Sequence, residues 1–100
     1  MNIDKKHSLD KEDALARMQA LTNYWKKHGI NAQWDGDRTS ISGKIKGFSF
    51  KGTLEVRSDH VHATVEANFL ARKAGGAYVE RKLKDYLDPK NSLEDLKARG

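Results

Sequence analysis

Two histidines two residues apart, His60 and His62, are the sharpest chemical feature of this 100-residue chain. The apolar residues around them alternate, so both imidazoles fall on one side of an expected strand. Two imidazoles on one face can hold a metal ion, with His7, Glu55 or Glu66 conceivable as a third ligand. No third ligand stands at motif spacing, and Thr64, Glu66 and Asn68 continue the same polar row. The simpler reading is a wet face, and neither a metal nor any other cofactor is expected. Ser8-Leu9-Asp10-Lys11 matches S-x-x-K, a nucleophile and base in serine acyl enzymes. It stands without companion motifs where the chain enters a helical pattern, and a capping serine is the simpler reading.

The remaining catalytic signatures are absent from the sequence. There is no G-x-S-x-G, no phosphate loop and no dinucleotide fingerprint. Gly43-Lys44-Ile45-Lys46-Gly47 is glycine-flanked but lies within strand pattern. The acidic residues are spread out, and none forms a defensible acid–base pair. No catalytic residue is assigned.

The elements that must position these residues are legible from periodicity. Ile3 to His7 reads as a short strand. Ser8 or Asp10 starts a helix running to His28, with Ala14, Leu15, Met18, Leu21, Thr22 and Trp25 as one stripe. Asp10 with Asp13 resembles a capping box, and Gly29 suits the position past the helix end. Ile30, Ala32 and Trp34 alternate, and Asp35-Gly36-Asp37 signals a turn. Three further period-two runs follow. Ile41, Gly43 and Ile45 make the first. After a break at Gly47, Phe48, Phe50, Gly52, Leu54 and Val56 make the second. After Ser58-Asp59, Val61, Ala63, Val65, Ala67 and Phe69 make the third. Links this short make an antiparallel meander of about four strands, since parallel crossovers need more chain. Gly75-Gly76 is expected to separate the sheet from a second helix, Ala77 to Leu87, whose stripe is Val79, Leu83, Tyr86 and Leu87. Pro89 ends it, and Ser92 starts a short helix expected to fray or dock weakly.

The expected fold is one α+β domain spanning residues 1–100, with two main helices on one face of the sheet and residues 88–100 as a loosely attached tail. The small inward residues Gly52, Ala63 and Ala67 leave room for a cavity, although interiors are normally filled.

Composition narrows the function classes. The formal net charge is +5, with 37% hydrophobic and 33% charged residues, which suits an ordinary soluble domain. Cysteine is absent, excluding disulfides, thiolate zinc sites and cysteine nucleophiles. No apolar run is long enough to span a bilayer. The N-terminus lacks a signal-peptide core, so a cytoplasmic protein is expected. Lys44, Lys46, Lys51 and Arg57, opposed by Glu55, make the wet face of the sheet basic. Phe48, Phe50 and Phe69 fall on the opposite row, so base stacking on the sheet, and with it specific nucleic-acid binding, is not expected.

Ile3…His7-Ser8-Leu9, the helix with Ala14, Trp34 with Gly36-Asp37, Gly52-Thr53-Leu54-Glu55-Val56, the Val61/Val65 strand and Val79-Glu80-Arg81-Lys82-Leu83 together resemble the polyhydroxyalkanoic acid system family. These are small bacterial proteins whose genes accompany polyester storage genes. The resemblance covers about Ile3 to Leu87. It implies a non-enzymatic accessory role in polyhydroxyalkanoate metabolism, at granules or with the polyester enzymes, and supplies no catalytic residue. At Ala71-Arg72-Lys73-Ala74-Gly75-Gly76 the chain departs from the family's more continuous apolar stretch, which argues against direct insertion into a hydrophobic surface there.

Three readings follow. The first is an accessory protein contacting granules or their enzymes through Phe69, Leu70, Tyr78 and Val79, where exposed apolar groups would drive docking. The second is an apolar-ligand carrier with a pocket between the sheet and the second helix. The third, a hydrolase using Ser8, His60 or His62, ranks last, since no nucleophile, base and orienting residue form a set. A homodimer through a free sheet edge is compatible with all three.

Overall fold

A computed structural model describes residues 1–45, 48–66 and 69–99. The first strand, β1 (Asn2–Lys6), leads into helix α1 (Lys11–Lys27). The meander is β2 (Asn31–Asp35), β3 (Arg38–Ile45), β4 (Phe48–Val56) and β5 (His60–Glu66). Helices α2 (Phe69–Tyr86) and α3 (Leu93–Arg99) complete the chain. The antiparallel sheet has five strands in the order β1-β5-β4-β3-β2. The short N-terminal strand thus becomes a full edge member beside the last strand, with Asp4 opposite His62.

The period-two pattern sorts the faces as expected. Ile41, Leu54, Val56, Val61, Ala63 and Val65 are buried beneath the helices, whereas Asp4, Gln33, Ser40, Lys51, Glu55 and His62 lie on the opposite face. Helix α1 packs on β2 and β4, and α2 on β1 and β5. Trp25, Met18 and Leu21 of α1 and Leu83 and Tyr86 of α2 occupy the space between the layers.

Gly52 does not leave room. A Cβ there would lie 2.4 Å from the Thr64 carbonyl oxygen and 3.3 Å from Ile41 Cγ1, so the glycine marks close packing rather than a cavity. Ala67, Gly47 and Lys46 lie outside the described residues.

The largest departure from expectation is α2. It starts at Phe69, so the last strand ends at Glu66 rather than near Phe69, and Gly75-Gly76 lies inside a helix. The reason is proximity. Met1 packs where a Cβ of Gly76 would sit, and a Gly75 Cβ would be 4.0 Å from Val65 Cγ1. At Gly76 the missing side chain leaves space that Met1 fills, whereas at Gly75 a methyl would make only an ordinary contact, so Gly76 alone is tied to the packing of α2 beside β1.

Helix ends also differ in detail. Asp10 caps α1 by backbone position, with its carboxylate making no capping hydrogen bond, and Asp13 pairs with Arg17 instead. Gly29 (φ 87°) ends α1 as expected. The tail is docked: Leu96 is fully buried, α3 packs on α1, and Arg99 pairs with Asp85. Ser92 Oγ accepts the Asp95 N–H at 3.1 Å, the N-cap that starts α3.

Candidate docking face and histidine cluster

Tyr78 and Val79 are neighbours on α2 with opposite fates. Val79 is 6% exposed and belongs to the core, so it is not available for contact. Tyr78 is half-buried. Its oxygen accepts a hydrogen bond from Trp25 Nε1 at 3.2 Å. That leaves the phenolic proton free to be donated outward. Burial pushes the Tyr78 pKa above its ordinary value, so the proton stays on at neutral pH. Phe69 and Leu70 lie in the first turn of the same helix. Their side chains lie outside the described set.

A small aromatic and cationic face surrounds Tyr78. Lys82 Nζ lies 4.8 Å from the Tyr24 ring centroid and 5.7 Å from that of Tyr78, within cation–π range of both. Tyr24 in turn packs against His28 with centroids 4.7 Å apart. Tyr78, Arg81, Lys82 and Asp85 line an open groove on the outer side of α2. This face offers hydroxyl, guanidinium and ammonium donors beside aromatic carbon. Asp85 adds a carboxylate to the same groove.

The histidines occupy a different place, on the polar face of the sheet near the β1 edge. Asp4 Oδ1 lies 2.6 Å from His62 Nδ1 and 3.9 Å from His60 Nε2. His60 Nδ1 bonds Asp59 at 2.7 Å, and that hydrogen bond holds the Asp59 carboxyl below the usual carboxylate range. Asp4 escaped sequence reading because only the β1–β5 pairing brings it to His62, 58 positions away. His7 is committed elsewhere. Its Nδ1 accepts the Leu9 N–H at 3.2 Å, so Nε2 carries the proton donated to the Arg57 carbonyl at 3.1 Å. Glu55 pairs with Arg57. Among the described residues no group of three His, Cys, Asp or Glu side chains is placed to hold a metal ion.

Nor do the catalytic candidates assemble. The Lys11 ammonium bonds Asp37 at 2.9 Å rather than Ser8. A carboxylate on His62 Nδ1 is the arrangement of a base and its orienting group. Among the described residues no hydroxyl is hydrogen-bonded to either histidine. The polar face is also less basic than expected: Asp4, Glu55, Asp35 and Glu66 alternate with His62, Arg38 and Lys51 across neighbouring strands.

Two hollows are open grooves, one beside α2 and one across β2. No helix among the described residues is long and apolar enough to cross a membrane. The family model "Putative polyhydroxyalkanoic acid system protein" matches residues 1–90. No curated protein and no solved structure matches the chain.

Proposed function

We propose that this chain, which belongs to the polyhydroxyalkanoic acid system family, is a non-enzymatic accessory protein that binds the surface of storage-polyester granules in the cytoplasm. The family match over residues 1–90 carries the reading. The face around Tyr78 supports it chemically. A polyester surface presents methylene and methyl groups together with ester carbonyls, which accept hydrogen bonds and donate none. The Tyr78 hydroxyl, Arg81 and Lys82 donate, and the Tyr24 and Tyr78 rings cover apolar carbon.

Fluorescence microscopy of the tagged protein in polyester-accumulating cells tests this reading. Fluorescence ringing the granules is the expected result. Diffuse fluorescence in cells filled with granules would overturn it.

A further inference from the structure

We propose that the free edge of β2 is a self-association surface that joins two copies of this chain into one continuous sheet. The strand order leaves two edges, β1 and β2. The direction of the β2 backbone groups follows from its pairing with β3. Thr39 Oγ1 donates to the Gln33 carbonyl at 2.7 Å, so that carbonyl points toward β3. Backbone groups alternate sides along an antiparallel strand. Asn31, Gln33 and Asp35 therefore bond to β3, whereas Ala32 and Trp34 aim their N–H and C=O groups at the open side. Among the described residues no strand pairs with that side. A groove lined by Lys26, Gly29, Ala32 and Gln33, and on its far side by Ser40 and Ser42 of β3, crosses β2 from the end of α1 to the polar face.

The side chains of β2 fit their own copy in the antiparallel register centred on Gln33. Ala32 then stands opposite Trp34 of the second copy, small against large, and the two exchange backbone hydrogen bonds. Asn31 faces Asp35 of the second copy, an amide against a carboxylate, so like charges do not meet. Gln33 meets Gln33 on the polar face, where each amide can both donate and accept. Lys26, in the basic last turn of α1 and lining the same groove as Asn31, brings a cation to the arriving Asp35.

The other edge has the opposite character. β1 carries Lys5 and Lys6, the kind of edge charge that discourages pairing. Its full-length self-pairing would set Asp4 against Asp4. β2 contains no lysine or arginine. A contact of five residues per copy is small, so the dimer is expected to dissociate on the order of 10–100 µM.

Sedimentation velocity on the full chain, from about 5 µM to about 1 mM, tests the proposal. A concentration-dependent dimer is expected. Gln33→Lys places like charges across the two-fold axis at an exposed position, and should weaken the dimer by about two- to fivefold while leaving the circular-dichroism spectrum unchanged. Gln33→Cys introduces a lone thiol at the axis, where facing residues lie about 4.5 Å apart, within disulfide reach. It should cross-link on mild oxidation, and Asn31→Cys should not. A monomer throughout the range, a Gln33→Lys variant that dimerises like wild type, or Asn31→Cys linking as fast as Gln33→Cys would overturn it.

Discussion

Arg17 Nη1 donates to the Tyr86 carbonyl at 3.2 Å and to the Asp88 carbonyl at 3.0 Å, so a side chain of α1 caps the C-terminal end of α2. Arg17 is only 5% exposed, and Asp13 holds its Nε at 3.0 Å. The guanidinium meets the negative end of the helix dipole and satisfies carbonyls that the helix leaves without partners.

Replacing Arg17 by methionine keeps the bulk and removes the donors. The buried Tyr86 carbonyl then loses its guanidinium partner, and Asp13 loses its pair. The expected loss is about 2–3 kcal/mol, read as a lower midpoint in urea denaturation with an unchanged slope. A midpoint equal to wild type would show that the cap contributes nothing.

Two glycine-to-alanine changes are predicted to act in opposite directions. At Gly52 the new methyl would lie 2.4 Å from the Thr64 carbonyl oxygen, and backbone must move. A destabilisation of about 2–3 kcal/mol is expected. At Gly75 the methyl makes an ordinary 4.0 Å contact with Val65 Cγ1 inside a helix. A stabilisation of about 0.5–1 kcal/mol is expected. Paired thermal melts check both signs.

These glycines also mark where the sequence was legible and where it was not. The strand faces were readable because Leu54, Val56, Val61 and Val65 alternate strictly with polar residues, and period two leaves one choice of buried side. Helix α1 was readable because its stripe and its terminal charges agree. Gly75-Gly76 reads as a break because glycine's helix penalty is local, whereas the packing of Met1 at Gly76 brings in the far end of the chain. The α3 docking was missed for a similar reason. Leu96 is a single apolar residue, and its burial depends on a surface of α1. Of the candidate contact residues, Tyr78 stands at the surface and Val79 in the core, a distinction set by the rotation of α2. Asp4 and Arg17 gave no signal, since each acts on a partner far along the chain.

The Lys11 ammonium hydrogen-bonds Asp37 and, with its charge, holds the Asp37 carboxyl below its ordinary value of 3.8. A carboxyl lowered in the folded state adds stability above the unfolded value and loses it as pH falls through the folded one. Lys11→Met should therefore raise the Asp37 titration midpoint toward 3.8, followed by carboxyl carbon NMR shifts. The variant should also show a shallower loss of stability in acid. An unmoved midpoint would contradict the pairing.

At the alkaline end the sign reverses. Burial pushes Tyr78 and Tyr86 above the ordinary tyrosine value of 10.0. The unfolded chain ionises first, so stability is retained below about 10 and falls as pH rises through the folded values. Ultraviolet titration of phenolate, with Tyr78→Phe and Tyr86→Phe variants to assign the steps, should place both tyrosines above 10.0. Either of them titrating at 10.0 or below would contradict the burial argument.

The proposed function requires that the chain bind polyester through the face around Tyr78. Co-sedimentation with protein-free polyester particles probes this, using wild type and an Arg81→Glu, Lys82→Glu double variant. Arg81 is exposed and Lys82 lies at the rim, so the fold should survive the change. Wild type should pellet with the particles, and the variant should bind at least about tenfold more weakly. Wild type remaining in the supernatant, or both proteins pelleting alike, would contradict it.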